Sequence, residues 1–139
     1  MGYRSCAAVV LYGDTKEVDM VDALLLQKLD PEYYRDLWEE QKQVKDVGNN
    51  QGDNTRMIVW TFDDIKWYSE MDGYKDNLFH WVESVNEGRE DDEAQPLCVE
   101  FVRFGEESDD TEVQRSMDSE YLLNIQRTID LPSDFEWRC

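Results

Sequence analysis

The chain has 139 residues, an ordinary size for one domain, and 40% of them are hydrophobic and 12% aromatic. It carries 14 Lys and Arg against 33 Asp and Glu, for a formal net charge of −19. This balance excludes proteins that hold nucleic acid through basic contacts to phosphate, and it disfavours docking on an anionic membrane surface. The aromatic content excludes a disordered acidic tail, so we expect a folded domain.

The first third of the chain predicts one strand followed by two helices. Residues 4–12 predict a strand, and residues 6–12 are apolar at successive positions, which is typical of a central strand buried on both faces. Asp14 or Thr15 is expected to cap a helix, and Asp30-Pro31 to begin a second one. The apolar residues at helical spacing are Val18, Val21, Leu25 and Leu29 in the first helix, and Tyr34, Leu37, Trp38 and Val44 in the second.

The rest of the chain predicts strands on either side of a third helix. The expected elements are a Gly- and Asn-rich loop (48–54), a strand (57–62), a helix (72–86), a strand (97–104) and a further strand (111–116). Asp63-Asp64 is expected to end the first of these strands, and the last two are expected to pair as a hairpin. Residues 121–131 fit a strand or a helix, and we favour a strand. Residues 132–139 are expected to form a short tail.

This order of elements predicts a single α+β domain over residues 1–139, a mainly antiparallel β-sheet packed by two or three α-helices. The periodic apolar positions predict a core. Its expected members include Val9, Leu11, Leu25, Val59, Leu78, Val82, Val99 and Phe101.

No motif in the sequence fixes a reaction, a cofactor or a metal. The single histidine, His80, lies in the third predicted helix, where an ordinary surface or boundary position is expected. The sequence has no CxxC, no HxxxH and no glycine-rich phosphate loop, and the five carboxylates of residues 105–112 do not follow EF-hand spacing. We therefore expect no catalytic residue, no cofactor and no metal, and a protein that acts by binding.

The cysteines and the hydropathy predict a soluble protein of the cytoplasm. The three cysteines, Cys6, Cys98 and Cys139, are odd in number and irregular in spacing. We therefore expect no disulfide framework, and we expect a reducing compartment. Cys6 and Cys98 lie in apolar runs and are expected to fill the core. No apolar run reaches membrane-spanning length, and the first one is too short for a secretory signal.

Two acidic surfaces are candidates for partner binding. One is the strand end with Asp63, Asp64, Trp67 and Tyr68, because Trp and Tyr are enriched in interface hot spots, although both rings could instead pack under the third helix. The other is the segment 87–112, which has eleven acidic and two basic residues and would attract a basic partner. Its candidate residues are Glu90, Asp91, Asp92, Glu93, Glu106, Glu107, Asp109, Asp110 and Glu112. High negative charge could also serve solubility alone.

An alternative binding site depends on scattered arginines. Arg4, Arg103, Arg115 and Arg127 could converge if their strands are neighbours. Such a pocket would suit a small anionic ligand, for instance a signalling nucleotide that the protein sequesters. A continuous negative face favours the protein partner, and a basic pocket within an acidic shell favours the ligand.

Three short motifs resemble those of a group of small acidic bacteriophage proteins. The chain opens with Met1-Gly2-Tyr3-Arg4-Ser5, continues with Asp64-Ile65-Lys66-Trp67-Tyr68, and later has Phe101-Val102-Arg103-Phe104-Gly105-Glu106 with Asp109-Asp110-Thr111-Glu112. That group opens with MGYRS and carries a VKWY-like element in mid-chain and an RIGE…DDIE-like element near the end. The resemblance covers most of the chain in order. A longer second helix and the Asn-rich segment at 48–54 depart from it.

The resemblance implies a phage accessory protein, a class that often inhibits host machinery or host defence. The expected partner is a basic host protein that handles nucleic acid or acts in defence, with no direct contact to nucleic acid or membrane. The acidic residues could then imitate the charge of DNA or RNA.

Overall fold

A five-stranded antiparallel sheet organises the chain. The computed structural model describes residues 4–29, 32–48, 54–67, 69–88, 96–105, 111–116, 123–125 and 129–130. Its elements are β1 (Arg4–Asp14), α1 (Thr15–Lys28), α2 (Glu32–Glu40), β2 (Lys42–Gly48), β3 (Asn54–Lys66), α3 (Ser69–Glu87), β4 (Cys98–Phe104), β5 (Thr111–Arg115), β6 (Asn124–Ile125) and β7 (Ile129–Asp130). The strand order is β2-β3-β1-β4-β5, every neighbouring pair is antiparallel, and β6 pairs with β7 in a separate two-stranded sheet. The predicted α+β class is therefore confirmed.

All three helices pack on one face of this sheet. The apolar side chains of α1 and α3 meet Val9 and Leu11 of β1 and Phe101 of β4 in one buried cluster. Trp38 of α2 is fully buried in the same cluster, at centroid distances of 5.6 Å from the ring of Trp60 and 4.8 Å from that of Phe62. The face with this cluster is called the helix face below.

The opposite face of the sheet, called the second face below, is also buried. Its cluster combines residues of β1, β3 and β4 with Leu123, and its fully buried members are Ala8, Val10, Val59, Val102 and Leu123. Burial on both faces explains why β1 is apolar at successive positions. The eight predicted core residues are all buried, with Val59 on the second face and the other seven on the helix face.

Local sequence signals fixed several boundaries. Asp14 caps α1 as predicted, since its Oδ2 accepts hydrogen bonds from the backbone N–H groups of Lys16 at 3.0 Å and Glu17 at 3.4 Å. The β4–β5 hairpin is confirmed, with Phe104 opposite Thr111. Residues 124–125 and 129–130 are strands, as favoured for that segment.

Three predictions from the sequence were wrong. Val44 lies in β2 and not in a helix, because α2 ends at Glu40 and the Gln41 carbonyl already accepts a hydrogen bond from Thr61 N of β3. Asp63-Asp64 does not end β3, which continues to Lys66 because β1 pairs with it up to Arg4. Cys6 is disulfide-bonded, whereas Cys98 is a buried free thiol as expected.

The described helices are too short or too polar to cross a lipid bilayer. The longest of them, α3, has 19 residues and carries acidic side chains along its length.

The turn from β1 into α1 requires glycine at position 13, where a side chain would not fit. Gly13 has φ of +150°, and a Cβ atom there would lie 3.0 Å from Leu97 Cδ1 and 3.2 Å from Leu97 Cα. We expect Gly13→Ala to lower the free energy of unfolding by about 1–3 kcal/mol. Gly73 is the matched control, because it is exposed in α3 with open space around it, and Gly73→Ala should raise stability by about 0.5–1 kcal/mol. Denaturant titrations in which both substitutions changed the free energy of unfolding in the same direction would contradict this prediction.

Candidate functional site

The fold separates Asp63 from Trp67, the two residues of the predicted strand-end site whose side chains the structure describes. Asp63 is exposed on β3, whereas the half-buried indole of Trp67 packs against the rings of Phe62 and Phe101 at 5.8 and 5.4 Å. Trp67 Nε1 donates a hydrogen bond of 2.6 Å to Asp72 Oδ1 in the first turn of α3. Trp67 therefore ties the connection between β3 and α3 to the core, as the packing alternative anticipated.

Most of the other acidic candidates fall outside the described residues. These are the side chain of Asp64 together with Tyr68, Glu90, Asp91, Asp92, Glu93, Glu106, Glu107, Asp109 and Asp110. Glu112 is described, and its Oε1 accepts hydrogen bonds from Nε and Nη2 of Arg103 at 3.1 and 2.5 Å. The carboxylate of Glu112 is thus already bound to a base of its own chain.

The two acidic stretches between α3 and β5 join the sheet at opposite ends of β4. Residues 89–95 follow α3 and precede the start of β4, whereas residues 106–110 connect Phe104 with Thr111 at its other end. A strand of seven residues spans about 20 Å at about 3.4 Å per residue. The stretches are therefore anchored about 20 Å apart.

The two described arginines of the alternative ligand site do not converge. Arg103 lies opposite Ala7 of β1, on the helix face, and Arg115 lies opposite Glu100, on the second face. The side chain of Arg4 and the whole of Arg127 fall outside the described residues. The sheet itself separates Arg103 from Arg115, so these two cannot line one pocket.

A buried carboxylate that the sequence analysis did not single out lies at the centre of β4. Glu100 is fully buried, and its Oε2 accepts a hydrogen bond of 3.1 Å from the Tyr12 hydroxyl. Its Oε1 accepts a hydrogen bond of 3.0 Å from Leu123 N and lies 3.5 Å from Arg115 Nε. Arg115 Nη2 in turn donates to the Leu123 carbonyl at 2.7 Å.

This network fastens the backbone of Leu123 to the second face. Side chains on two strands bind both its N–H and its carbonyl, and both oxygens of the buried Glu100 carboxylate accept hydrogen bonds. The sequence did hold a signal for it. Glu100 is the single charged residue in the run from Leu97 to Val102, and a carboxylate in such a run requires buried partners.

A second polar group lies on the helix face beside β5. Lys75 is 6% exposed, and its Nζ donates to Gln114 Oε1 at 3.0 Å and lies 5.0 Å from the centroid of the Phe101 ring. Arg103 follows Phe101 by two residues in β4, and it donates a hydrogen bond to Glu112. Because acceptors within the chain already engage both cations, they do not form an open anion site.

Basic residues at the other edge of the sheet are also paired with carboxylates. Lys42 of β2 forms an ion pair with Asp22 of α1. Arg56 of β3 binds Asp46 Oδ1 through Nε at 2.7 Å and Asp19 Oδ1 through Nη1 at 2.5 Å. These two carboxylates raise the pKa of Arg56 above its ordinary value. Charge at this edge is balanced within the molecule.

Among the described residues, α2 and α3 carry several exposed carboxylates without a base. Glu70 is one of them, and it accepts a hydrogen bond from the Ser69 hydroxyl. The other five form neither an ion pair nor a hydrogen bond with another described residue: Glu32, Asp36 and Glu40 on α2, and Glu83 and Glu87 on α3. The helices touch through Tyr34 and Tyr74, whose centroids are 5.4 Å apart, and both pack on the helix face, so these carboxylates lie on the helix side of the sheet. We call these five residues the acidic helix surface.

His80 is exposed on α3, the position expected for an ordinary surface residue. Within the ranges that the structure describes, no three His, Cys, Asp or Glu side chains are grouped closely enough to hold a metal ion.

Comparisons with protein-family models, curated proteins and solved structures find no match to this chain.

The Glu100 network predicts that neutralising this buried carboxylate destabilises the protein far more than neutralising an exposed one. We expect Glu100→Gln to lower the free energy of unfolding by about 3 kcal/mol, because Arg115 would lose the carboxylate of a buried pair. Glu40→Gln, which neutralises an exposed carboxylate, should change it by less than about 0.5 kcal/mol. Equal stabilities in urea titrations of the two variants would show that Glu100 does not hold this face together.

Proposed function

We propose that this protein is a phage accessory protein that binds a basic host protein and blocks it through the acidic helix surface. The target class is a host protein that handles nucleic acid or acts in defence against phage. The protein acts by occupation and not by catalysis. Its carboxylates take the place of nucleic-acid phosphates in a basic groove of the target.

The placement of acidic residues at the ends of two helices carries this proposal. A helix C-terminus bears partial negative charge, so Lys or Arg stabilises the last turn and Asp or Glu destabilises it. Neither α2 nor α3 has a base in its last turn. Glu39 and Glu40 end α2, and Glu87 ends α3 with Glu83 one turn before it. Residues that lower stability in this way are best explained by a role in binding.

The distribution of bases adds to this argument. Arg56, Arg103 and Arg115 are bound by carboxylates of the same chain, so they do little to offset the negative field outside the molecule. On α3 the single Lys or Arg residue, Lys75, is buried. The exposed positions of α3 that bear charge are therefore all acidic.

The spacing on α3 supports contact with more than one cationic group. Glu83 and Glu87 are four residues apart and both are exposed, whereas Asp76 is already paired with Lys75 at 2.7 Å. At about 1.5 Å per residue Glu83 and Glu87 lie about 6 Å apart along one side of the helix. A rigid helix holds such a pair without loss of backbone entropy on binding.

The cytoplasm of the host is the compartment we propose, since the expected partner is there. A reducing cytosol would hold Cys6 as a thiol. The separation of Arg103 from Arg115 gives no support to the alternative of a small anionic ligand, and we do not propose it.

Opposite effects on stability and binding are expected at the end of α3. Glu83→Gln with Glu87→Gln should raise the free energy of unfolding by up to about 1 kcal/mol, because two charges leave the negative end of the helix dipole. The same variant should capture several-fold less host protein from a bacterial lysate at low salt.

Glu70 in the first turn of α3 offers the matched control. Glu70→Gln removes a carboxylate from the positive end of the same dipole, so it should lower stability slightly and leave capture unchanged. Equal capture by the parent, Glu70→Gln and the double variant, with all three folded, would contradict a role for the end of α3.

The acidic connection between β4 and β5 gives a second test at a separate position. Neutralising Glu106, Glu107, Asp109 and Asp110 together should slow association with the captured host protein and leave the fold intact. The effect should diminish as salt rises, since exposed charges are screened over about 10 Å at 0.1 M. A fourfold variant that associates at the parent's rate in stopped-flow measurements at physiological salt would exclude this connection from the binding surface.

A further inference from the structure

The edge strand β2 presents backbone hydrogen-bonding groups away from the sheet. It pairs with β3 on one side, and no strand in the described part of the chain pairs with its other side. Thr61 N donates to the Gln41 carbonyl, and Trp60 lies opposite Lys42. Hydrogen-bonded pairs alternate along an antiparallel ladder, so Lys42, Val44 and Asp46 direct their N–H and carbonyl groups outward.

The sequence of β2 is complementary to itself about Val44. If a second β2 runs antiparallel with Val44 on the two-fold axis, Lys42 of each copy lies opposite Asp46 of the other. The outward-directed residues then meet one another in hydrogen-bonded pairs. A register shifted by two residues would instead place Lys45 opposite itself, and like charges directly opposite are destabilising.

We propose that two copies of this chain associate through β2 and form a continuous ten-stranded sheet across a two-fold axis. Val44 is 47% exposed, and in the dimer it would be covered by Val44 of the second copy. Paired edges are a common way in which unpaired strand groups are satisfied. This association is independent of the proposed host partner.

Charge selects β2 over β5, the other edge of the sheet. β2 has two basic residues and one acidic residue, and its neighbours Asp22 and Arg56 are already paired. Strand β5 also exposes a valine, Val113, at 44%, but residues 106–115 contain five acidic residues and one basic residue. Two copies of β5 would therefore bring like charges together.

The net charge of the chain predicts how the association responds to salt. Two protomers of −19 repel one another as whole molecules, so the dimer should be weak at low salt and tighten as salt screens the repulsion. Binding of a basic partner should weaken under the same change. The two associations are thus distinguishable by the sign of their salt dependence.

Sedimentation equilibrium of the full chain at about 0.5 M salt tests the proposal. Val44→Lys places two lysines opposite each other across the axis, with their Cα atoms about 5.5 Å apart, and Val44→Pro removes an N–H that points away from β3. We expect roughly tenfold or greater weakening of the dimer in each case, with a native circular dichroism spectrum. Val113→Lys is the matched control at the other edge and should leave the dimerisation constant within about twofold of the parent.

Three results would overturn the proposal. The first is a parent that remains monomeric at about millimolar concentration and high salt, since paired edges should associate there. The second is a dimer that Val44→Lys leaves unchanged. The third is a dimer that Val113→Lys disrupts instead. If Val44→Pro fails to fold, Val44→Lys at an exposed side chain still decides between these outcomes.

Discussion

Burial of the Glu100 carboxylate is the constraint on which the second face of the sheet depends. An unpaired charge in that position would be strongly destabilising, so Tyr12, Arg115 and the Leu123 backbone must all be in place for the sheet to be stable. The buried carboxylate in turn positions its own partners. The same bonds that satisfy the carboxylate bring Leu123 onto the apolar side chains opposite the helices. Both faces of the central strands are then buried in a chain of modest size.

Elements determined by local chemistry could be predicted from the sequence, and elements determined by distant partners could not. The cap at Asp14 and the apolar stripe of α1 depend on residues within a few positions of one another. Val44, by contrast, is a single apolar residue among polar ones, and its place in β2 is decided by pairing with β3. Convergence of Arg103 and Arg115 was the alternative if their strands were neighbours; the strands do pair, yet the spacing along them puts the two residues on opposite faces. The partners of Glu100 span more than one hundred positions, from Tyr12 to Leu123, which no local pattern reveals.

Two sets of charges among the described residues have different roles. Inside, and at the two edges of the sheet, bases are paired with carboxylates from neighbouring elements. Outside, on α2 and α3, carboxylates are exposed without such partners and lie where the helix dipoles oppose them. The first set maintains the fold, and the second is available to a partner of opposite charge. A dimer through β2 would leave the acidic helix surface of each copy uncovered, since that surface lies on the helices and the dimer contact is at the sheet edge.

Competition with nucleic acid tests the central claim most directly. Once a host protein has been captured, its binding to a labelled DNA or RNA duplex can be followed by fluorescence anisotropy while the acidic protein is added. Imitation of phosphates predicts that the acidic protein displaces the duplex completely, that more duplex demands proportionally more acidic protein, and that both complexes weaken as salt rises. A ternary complex, in which the duplex and the acidic protein are bound to the host protein together without mutual displacement, would contradict it.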